Sequence, residues 1–187
     1  MNNIIEIFKE AFDQSVDDYK KGLINSERCL QSALYFHIRN QIPEQEEKDI
    51  KILLEPVLTC EVGDLKGKQP DLLICDGKKI LLIAELKFLP HYRPVWKKDV
   101  IKLKQIFDAS KQNQFKTKLS LSANGKYDNV IYEPDDNIAL CFVVFGRDDA
   151  EAVNYDSVSR QWAKLNFFAC ITHEDENSIP EKVMKPE

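Results

Sequence analysis

Asp71, Glu85 and Lys87 are the residues of this chain whose types and spacing could do chemistry. Glu85 and Lys87 interrupt residues 80–89, Ile-Leu-Leu-Ile-Ala-Glu-Leu-Lys-Phe-Leu, a run apolar at both parities and therefore expected to be a strand covered on both faces. A carboxylate or ammonium taken out of water costs several kcal/mol unless it is paired or coordinated, so two such groups in a covered strand need a partner. Two residues apart on a strand, they share a face. Asp71 stands at the mouth of the preceding apolar run, 72–75, where an antiparallel partner would bring it beside Glu85. Two clustered carboxylates repel, and a divalent cation relieves the repulsion while adding the positive charge that a phosphate needs. The neighbouring lysine can orient a water or help to deprotonate it.

The elements that must position these residues begin with a hairpin, closed by the Asp-Gly-Lys-Lys segment 76–79. Opposed residues of an antiparallel pair point to the same face, so Asp71 and Glu85 meet only if opposed numbers sum to an even value such as 156. A two-residue or four-residue loop has the wrong parity. The chemistry therefore predicts either an odd loop, such as 77–79, or one β-bulge.

Pro70-Asp71, thirteen intervening residues and then Glu85-Leu86-Lys87 resemble the PD-(D/E)xK nuclease motif. The resemblance covers the hairpin well and residues 26–112 loosely. It implies an α/β fold of restriction-endonuclease-like kind, a mixed β-sheet flanked by helices. It also implies Mg²⁺- or Mn²⁺-dependent hydrolysis of DNA phosphodiester bonds, leaving a 5′-phosphate. Asp71 and Glu85, with the Leu86 carbonyl, would then bind the metal, and Lys87 would position the water and stabilise charge on the phosphate. Glu27 would assist, because nucleases of this type often hold a further acid on the helix before the sheet. On the residues alone, Glu27 is equally a first-turn glutamate favoured by the helix dipole. Glu55 is the reserve ligand, although its place before Pro56 suits an exposed residue. In the family the helix after the second strand approaches nucleic acid, which would give Lys97, Lys98, Lys104 and Gln105 contact roles. A solvated lysine-rich helix explains each of them equally well. Tyr92 and Trp96 could stack on a base, or simply pack at a loop-to-helix junction.

Around the hairpin, Ile4, Ile5, Phe8, Phe12, Val16 and Tyr19 at helical spacing predict a helix over 3–20, and Asn25-Ser26 caps a second running to about residue 40. A polar connector at 43–49 leads to a first strand at 50–62, where Pro56 argues for an edge or a bulge. A helix is expected from 95 to about 112, with Val100, Leu103, Ile106 and Phe107 inward and Lys97, Lys98, Lys102 and Lys104 mostly outside. Residues 113–137 are polar, with 120–128 and 134–137 reading as loops. Residues 138–146 are a buried strand parallel to an earlier one, a short helix is expected around 158–163, and 165–172 is a last strand. One domain, 1–173, would be followed by a disordered acidic tail, 174–187.

The 187 residues are 43% hydrophobic and 30% charged, a soluble balance that one core can organise. Net charge is −5, which by itself counts against a nucleic-acid enzyme. Residues 78–118, however, hold eleven Lys or Arg against three acids, a local +8 beside the candidate site. Five isolated cysteines without a Cys-x-x-Cys pair suit free thiols in a reducing cytoplasm. The start of the chain reads as no export signal and no run as a membrane span. With six glycines and no phosphate loop, Rossmann and P-loop readings fail, and the three histidines form no triad or zinc spacing. The expected partner is DNA, no membrane is expected, and a homodimer is compatible with this reading. The alternatives are a non-catalytic restriction-endonuclease-like binding module and an unrelated intracellular interaction protein.

Overall fold

The structure is a computed structural model that describes residues 4–43, 49–58, 65, 67–89, 97–112, 115, 117–123, 126–147, 165–172 and 181–185. Two helices open the chain. In α1 (Ile4–Lys20) Phe8, Ala11, Phe12, Ser15 and Val16 form the buried stripe, and the Ser15 hydroxyl donates to the Ala11 carbonyl at 2.8 Å, so the polar group on that stripe is satisfied. In α2 (Glu27–Gln41) the Ser26 side chain accepts from the Cys29 N–H, the cap expected from the sequence, and Leu30, Gln31, Leu34 and Ile38 face inward.

The strands are β1 (Ile50–Leu54), β2 (Leu72–Asp76), β3 (Lys79–Leu89), β4 (Thr117–Ala123), β5 (Lys126–Arg147), β6 (Asn166–Thr172) and β7 (Glu181–Lys185), with α3 (Lys97–Lys111) between β3 and β4. They form one mixed sheet in the order β1-β2-β3-β5-β6-β7, with β4 paired to β5 off that path. β1, β2 and β3 run antiparallel, β5 lies parallel to β3 and β6 parallel to β5, and β7 returns antiparallel. The doubly apolar runs of β3 and β5 explain two cores. On one face Leu72, Ile74, Leu82, Ala84, Cys141 and Val143 pack under α1 and α2. On the other, Leu73, Cys75, Ile83, Phe142 and Val144 pack under Val100, Leu103 and Ile106 of α3. This is the mixed α/β architecture, helices on both faces, that the sequence predicts.

Four departures have physical causes. β1 stops at Leu54 rather than 62, because Glu55 takes a left-handed φ of 48° and Pro56 has no N–H to donate; β1 is nevertheless the edge strand that Pro56 called for. Of residues 120–128, expected as loop, 120–123 lie in β4 and 126–128 in β5, paired from Thr117↔Tyr132 to Ala123↔Lys126. The segment 134–137 lies within β5, but where its pairing to β3 jumps from Ile80↔Pro134 to Leu82↔Ala139, so the proline sits at an irregularity. Within the tail expected to be disordered, residues 181–185 form β7 against β6. Cys60, Tyr92, Trp96 and the helix expected around 158–163 lie outside the described residues, among which no helix is long and apolar enough to cross a membrane.

Candidate active site

The register of the hairpin decides which side chains can meet. The turn is the two-residue Gly77-Lys78, with Asp76↔Lys79 and Cys75↔Ile80 opposed and Gly77 at a φ of 54°. Continued unchanged, this register would set Asp71 against Ala84 and turn Glu85 to the other face. Pairing instead resumes at Ile74↔Leu82, leaving Leu81 as an extra residue, and proceeds through Leu73↔Ile83 to Leu72↔Ala84. Extended by one step, this register would set Asp71 opposite Glu85. The odd loop is not used; the single bulge is, and it carries out the parity correction that a shared site requires.

β3 also outruns β2. Alternate N–H groups of a strand point to the same neighbour, and beyond Ala84 those of Leu86 and Phe88 have no β2 residue to meet. Carboxylates take that place: Asp71 Oδ2 accepts from the Leu86 N–H at 2.6 Å and Glu27 Oε2 from the Phe88 N–H at 3.3 Å. The Asp71 carbonyl is held in turn by the Gln31 side chain at 2.6 Å and the Glu55 N–H at 3.1 Å. These residues border a cleft of about 310 Å³ lined by Ser26, Glu27, Arg28, Gln31, Glu55, Asp71 and Leu86.

Under α3 the environment is drier. Glu85 is 1% exposed. Its Oε2 accepts from Lys102 Nζ at 2.7 Å, while Oε1, fully buried, has no hydrogen-bond partner among the described residues. Lys102 Nζ also donates to the Gln69 carbonyl at 3.0 Å and lies 3.9 Å from Asp99 Oδ1. Lys87 Nζ is 3.3 Å from Asp99 Oδ2 and 3.7 Å from Glu27 Oε2. Burial first, and then the negative charge of Asp71, hold Glu85 well above the usual carboxylate range against the pull of Lys102. Burial likewise raises Asp71, opposed by its bond from the Leu86 N–H and by the Lys87 charge. For Lys87, burial works to lower the pKa, but Asp99, Glu27 and Asp71 outweigh it and the ammonium is stabilised.

The structure thus gathers Asp71, Glu85, Lys87, Glu27 and the Leu86 backbone at one end of β3. Glu55 joins through its N–H and lines the cleft. Lys97, Lys98 and Lys104 occupy the exposed side of α3 and Gln105 is half-buried there. Lys102 corrects the expectation of an outward lysine: with Asp99, three residues earlier, it sits beside the apolar stripe of Val100, Leu103 and Ile106 and turns into the site. Asp99, Lys102 and Gln31 are the members that sequence reasoning did not assign. The available signal was the Asp-x-x-Lys spacing on the shoulder of that stripe.

Among the described residues no group of three or more His, Cys, Asp or Glu side chains is arranged to hold a metal ion. The donors present are carboxylate oxygens, the hard kind that a divalent cation takes. Glu27, Asp71, Glu85 and Asp99 against Lys87 and Lys102 leave two negative charges when all are ionised, and one buried carboxylate oxygen has no partner among the described residues.

No protein-family model and no curated protein matches this chain. Among solved structures, the chain is similar to that of Pyrococcus furiosus SfsA in complex with Ca²⁺, at 14% identity and a TM-score of 0.36, over 84% of this chain and 62% of that one. The chain therefore spans less than two thirds of that structure's length, and a likeness this distant decides nothing about its chemistry.

Proposed function

We propose that this protein is a divalent-metal-dependent nuclease of the PD-(D/E)xK type that hydrolyses phosphodiester bonds of DNA. The observation that carries the reading is Glu85, a buried carboxylate with one oxygen unpartnered among the described residues, which the bulged register, extended by one step, brings to the face of Asp71, two residues before Lys87. Asp71 and Glu85, with the Leu86 carbonyl, would hold Mg²⁺ or Mn²⁺, and Glu27 assists from the α2 side. When bound, the ion supplies Lewis-acid stabilisation of the phosphate and activation of a water.

The chain's own residues do the rest. Lys87 has its pKa raised, so at neutral pH it is an ammonium rather than a free base. It acts by orienting the attacking water and by meeting charge that develops on the phosphate oxygens, not by taking the proton. Asp99 and Glu27 hold that ammonium from two sides, at 3.3 and 3.7 Å. Gln31 fixes the backbone of Asp71 and so its reach to the edge of β3. DNA would approach over the exposed Lys97 and Lys98 at the start of α3, with Lys104 and Gln105 further along the helix. The unpaired Cys75, Cys141 and Cys170, all buried, support a reducing compartment such as the cytoplasm.

The test is nicking of supercoiled DNA, with RNA in parallel, in Mg²⁺, Mn²⁺ and chelator, by the wild type beside Lys87→Ala. Metal-dependent cleavage that falls by about 10²-fold or more in the folded variant is expected. Equal cleavage by both proteins would remove Lys87 from the mechanism. Retained DNA with no cut strand in any metal would make this a non-catalytic binding module.

A further inference from the structure

Lys102 stands where the mechanism has no need of it. Its ammonium satisfies one oxygen of Glu85 at 2.7 Å and the Gln69 carbonyl at 3.0 Å, and Asp99 is within 3.9 Å. Gln69 lies two residues before Asp71, so this one side chain ties α3 to the segment that delivers a metal-binding carboxylate, and to the other such carboxylate directly. The tie brings a single positive charge to a cluster whose four acids and two lysines sum to −2 when all are ionised, and it leaves Glu85 Oε1 buried without a partner among the described residues. A lysine ammonium is a compact charge on a flexible stem, able to leave when a better cation arrives. A divalent ion shared by Asp71 and Glu85 is that cation: it is of the same sign, carries twice the charge and can take carboxylate oxygens that Lys102 leaves open.

We propose that Lys102 is an internal counter-ion that keeps the metal-free site closed and is displaced from Glu85 by the incoming divalent cation, so that cation loading releases the link between α3 and Gln69. This rests on the metal-dependent reading given above and names Lys102 as a positioning residue that competes with the ion. The consequence runs against intuition for a residue inside an active site: removing its charge should tighten metal binding, because the ion no longer has to expel a competitor.

Calorimetric titration with Mn²⁺ alone, on wild type, Lys102→Met, Lys102→Arg and Asp71→Ala, tests this. Lys102→Met should bind Mn²⁺ about ten-fold more tightly than wild type, since apparent affinity scales with the fraction of sites open to the ion. Lys102→Arg should not tighten it, and Asp71→Ala should lose it. Should Lys102→Met fail to fold without metal, acetylation of the wild type read by mass spectrometry gives an independent answer: Mn²⁺ should make Lys102 several-fold more reactive. Unchanged or weaker Mn²⁺ affinity in folded Lys102→Met overturns the proposal, as does an acetylation rate at Lys102 that Mn²⁺ leaves unchanged or lowers. If wild type and Asp71→Ala respond to Mn²⁺ alike, the metal reading itself fails and this inference goes with it.

Discussion

The two ends of β3 are built from the same residue types and differ in their exposure to water. At the start of the strand Lys79 pairs with Glu133 at 3.7 Å, while Lys111, at the C-terminal end of α3, donates to the Asp136 carbonyl. A cleft of about 290 Å³ is lined there by Lys79, Ser110, Lys111, Phe115, Glu133, Pro134, Asp135 and Asp136. At the other end Glu85 and Lys87 lie under the N-terminal part of α3, with Asp99 and Lys102 above them. In volume, and in its mix of lysines and acids, the first end could be mistaken for the second. But the Lys79 and Glu133 side chains are 54% and 42% exposed, whereas those of Lys102 and Glu85 are 15% and 1%. Water does the solvating at one end; at the other, each charge depends on named neighbours. That dependence, rather than the presence of acids and bases, raises the carboxyl pKa values and leaves Glu85 Oε1 without a hydrogen-bond partner among the described residues.

The comparison breaks or holds on a pair of substitutions. Removing one partner of a buried ion pair strands the other, so Lys102→Met should destabilise the metal-free protein by roughly 3–5 kcal/mol. Lys79→Met at the exposed pair should cost about 1 kcal/mol or less. Urea unfolding of both variants in chelator measures the difference. Equal losses would mean that the site end is as well solvated as the far end.

Acidity sharpens the same contrast. Glu85 and Asp71 titrate above their ordinary values of 4.5 and 3.8, so between those values and the raised ones the folded protein binds more protons than the unfolded chain. Their contribution to stability is therefore full below about pH 4 and is lost as pH rises through the raised pKa values. In metal-free protein Glu85→Gln, which stays neutral, should flatten this decline. Melting temperatures across pH 4 to 8 report it, and a wild-type slope unchanged in Glu85→Gln would show that Glu85 ionises as readily as a surface group.

A smaller effect belongs to Gln31, whose side chain donates to the Asp71 carbonyl at 2.6 Å. That carbonyl keeps its second donor, the Glu55 N–H, so Gln31→Leu should cost about 1 kcal/mol and, on the proposed nuclease reading, should reduce metal-dependent cleavage more than stability. Loss of stability with full cleavage would make Gln31 a packing residue only.

What was legible in the sequence follows from the same physics. A charge inside a doubly apolar run is conspicuous, so Asp71, Glu85 and Lys87 could be read directly, and the parity of a hairpin is arithmetic. The bulge itself could not be placed, because Leu81 is one apolar residue among several and its being skipped against both β2 and β5 is a tertiary fact. Lys102 was misplaced because a helical stripe says which residues lie inward but not whether a long side chain on its shoulder bends over it. The first half of β5 was hidden by Asp, Asn, Lys and Pro, and β7 by Glu and Lys, residues of low strand propensity that are held extended by pairing with a neighbour.

The smallest expected effect concerns DNA. Lys97 and Lys98 are exposed at the end of α3 over the site, and Lys78 and Lys79 are exposed at the opposite end of β3, which is about 20 Å away at the rise of an extended strand. If a phosphate backbone crosses the site, only the first pair releases counterions on binding. Each lost contact should then lower the slope of log affinity against log salt by about 0.9 for duplex DNA. Lys97→Ala and Lys98→Ala should each show that decrement, in Ca²⁺ or chelator so that no strand is cut, and Lys78→Ala and Lys79→Ala should leave the slope unchanged. The reverse pattern would move the DNA to the far end of the sheet, where the exposed charges are, and would separate binding from the buried cluster. Equal decrements at both ends would describe a diffuse electrostatic surface with no preferred track, and the desolvated site would then have to find its substrate without guidance from α3.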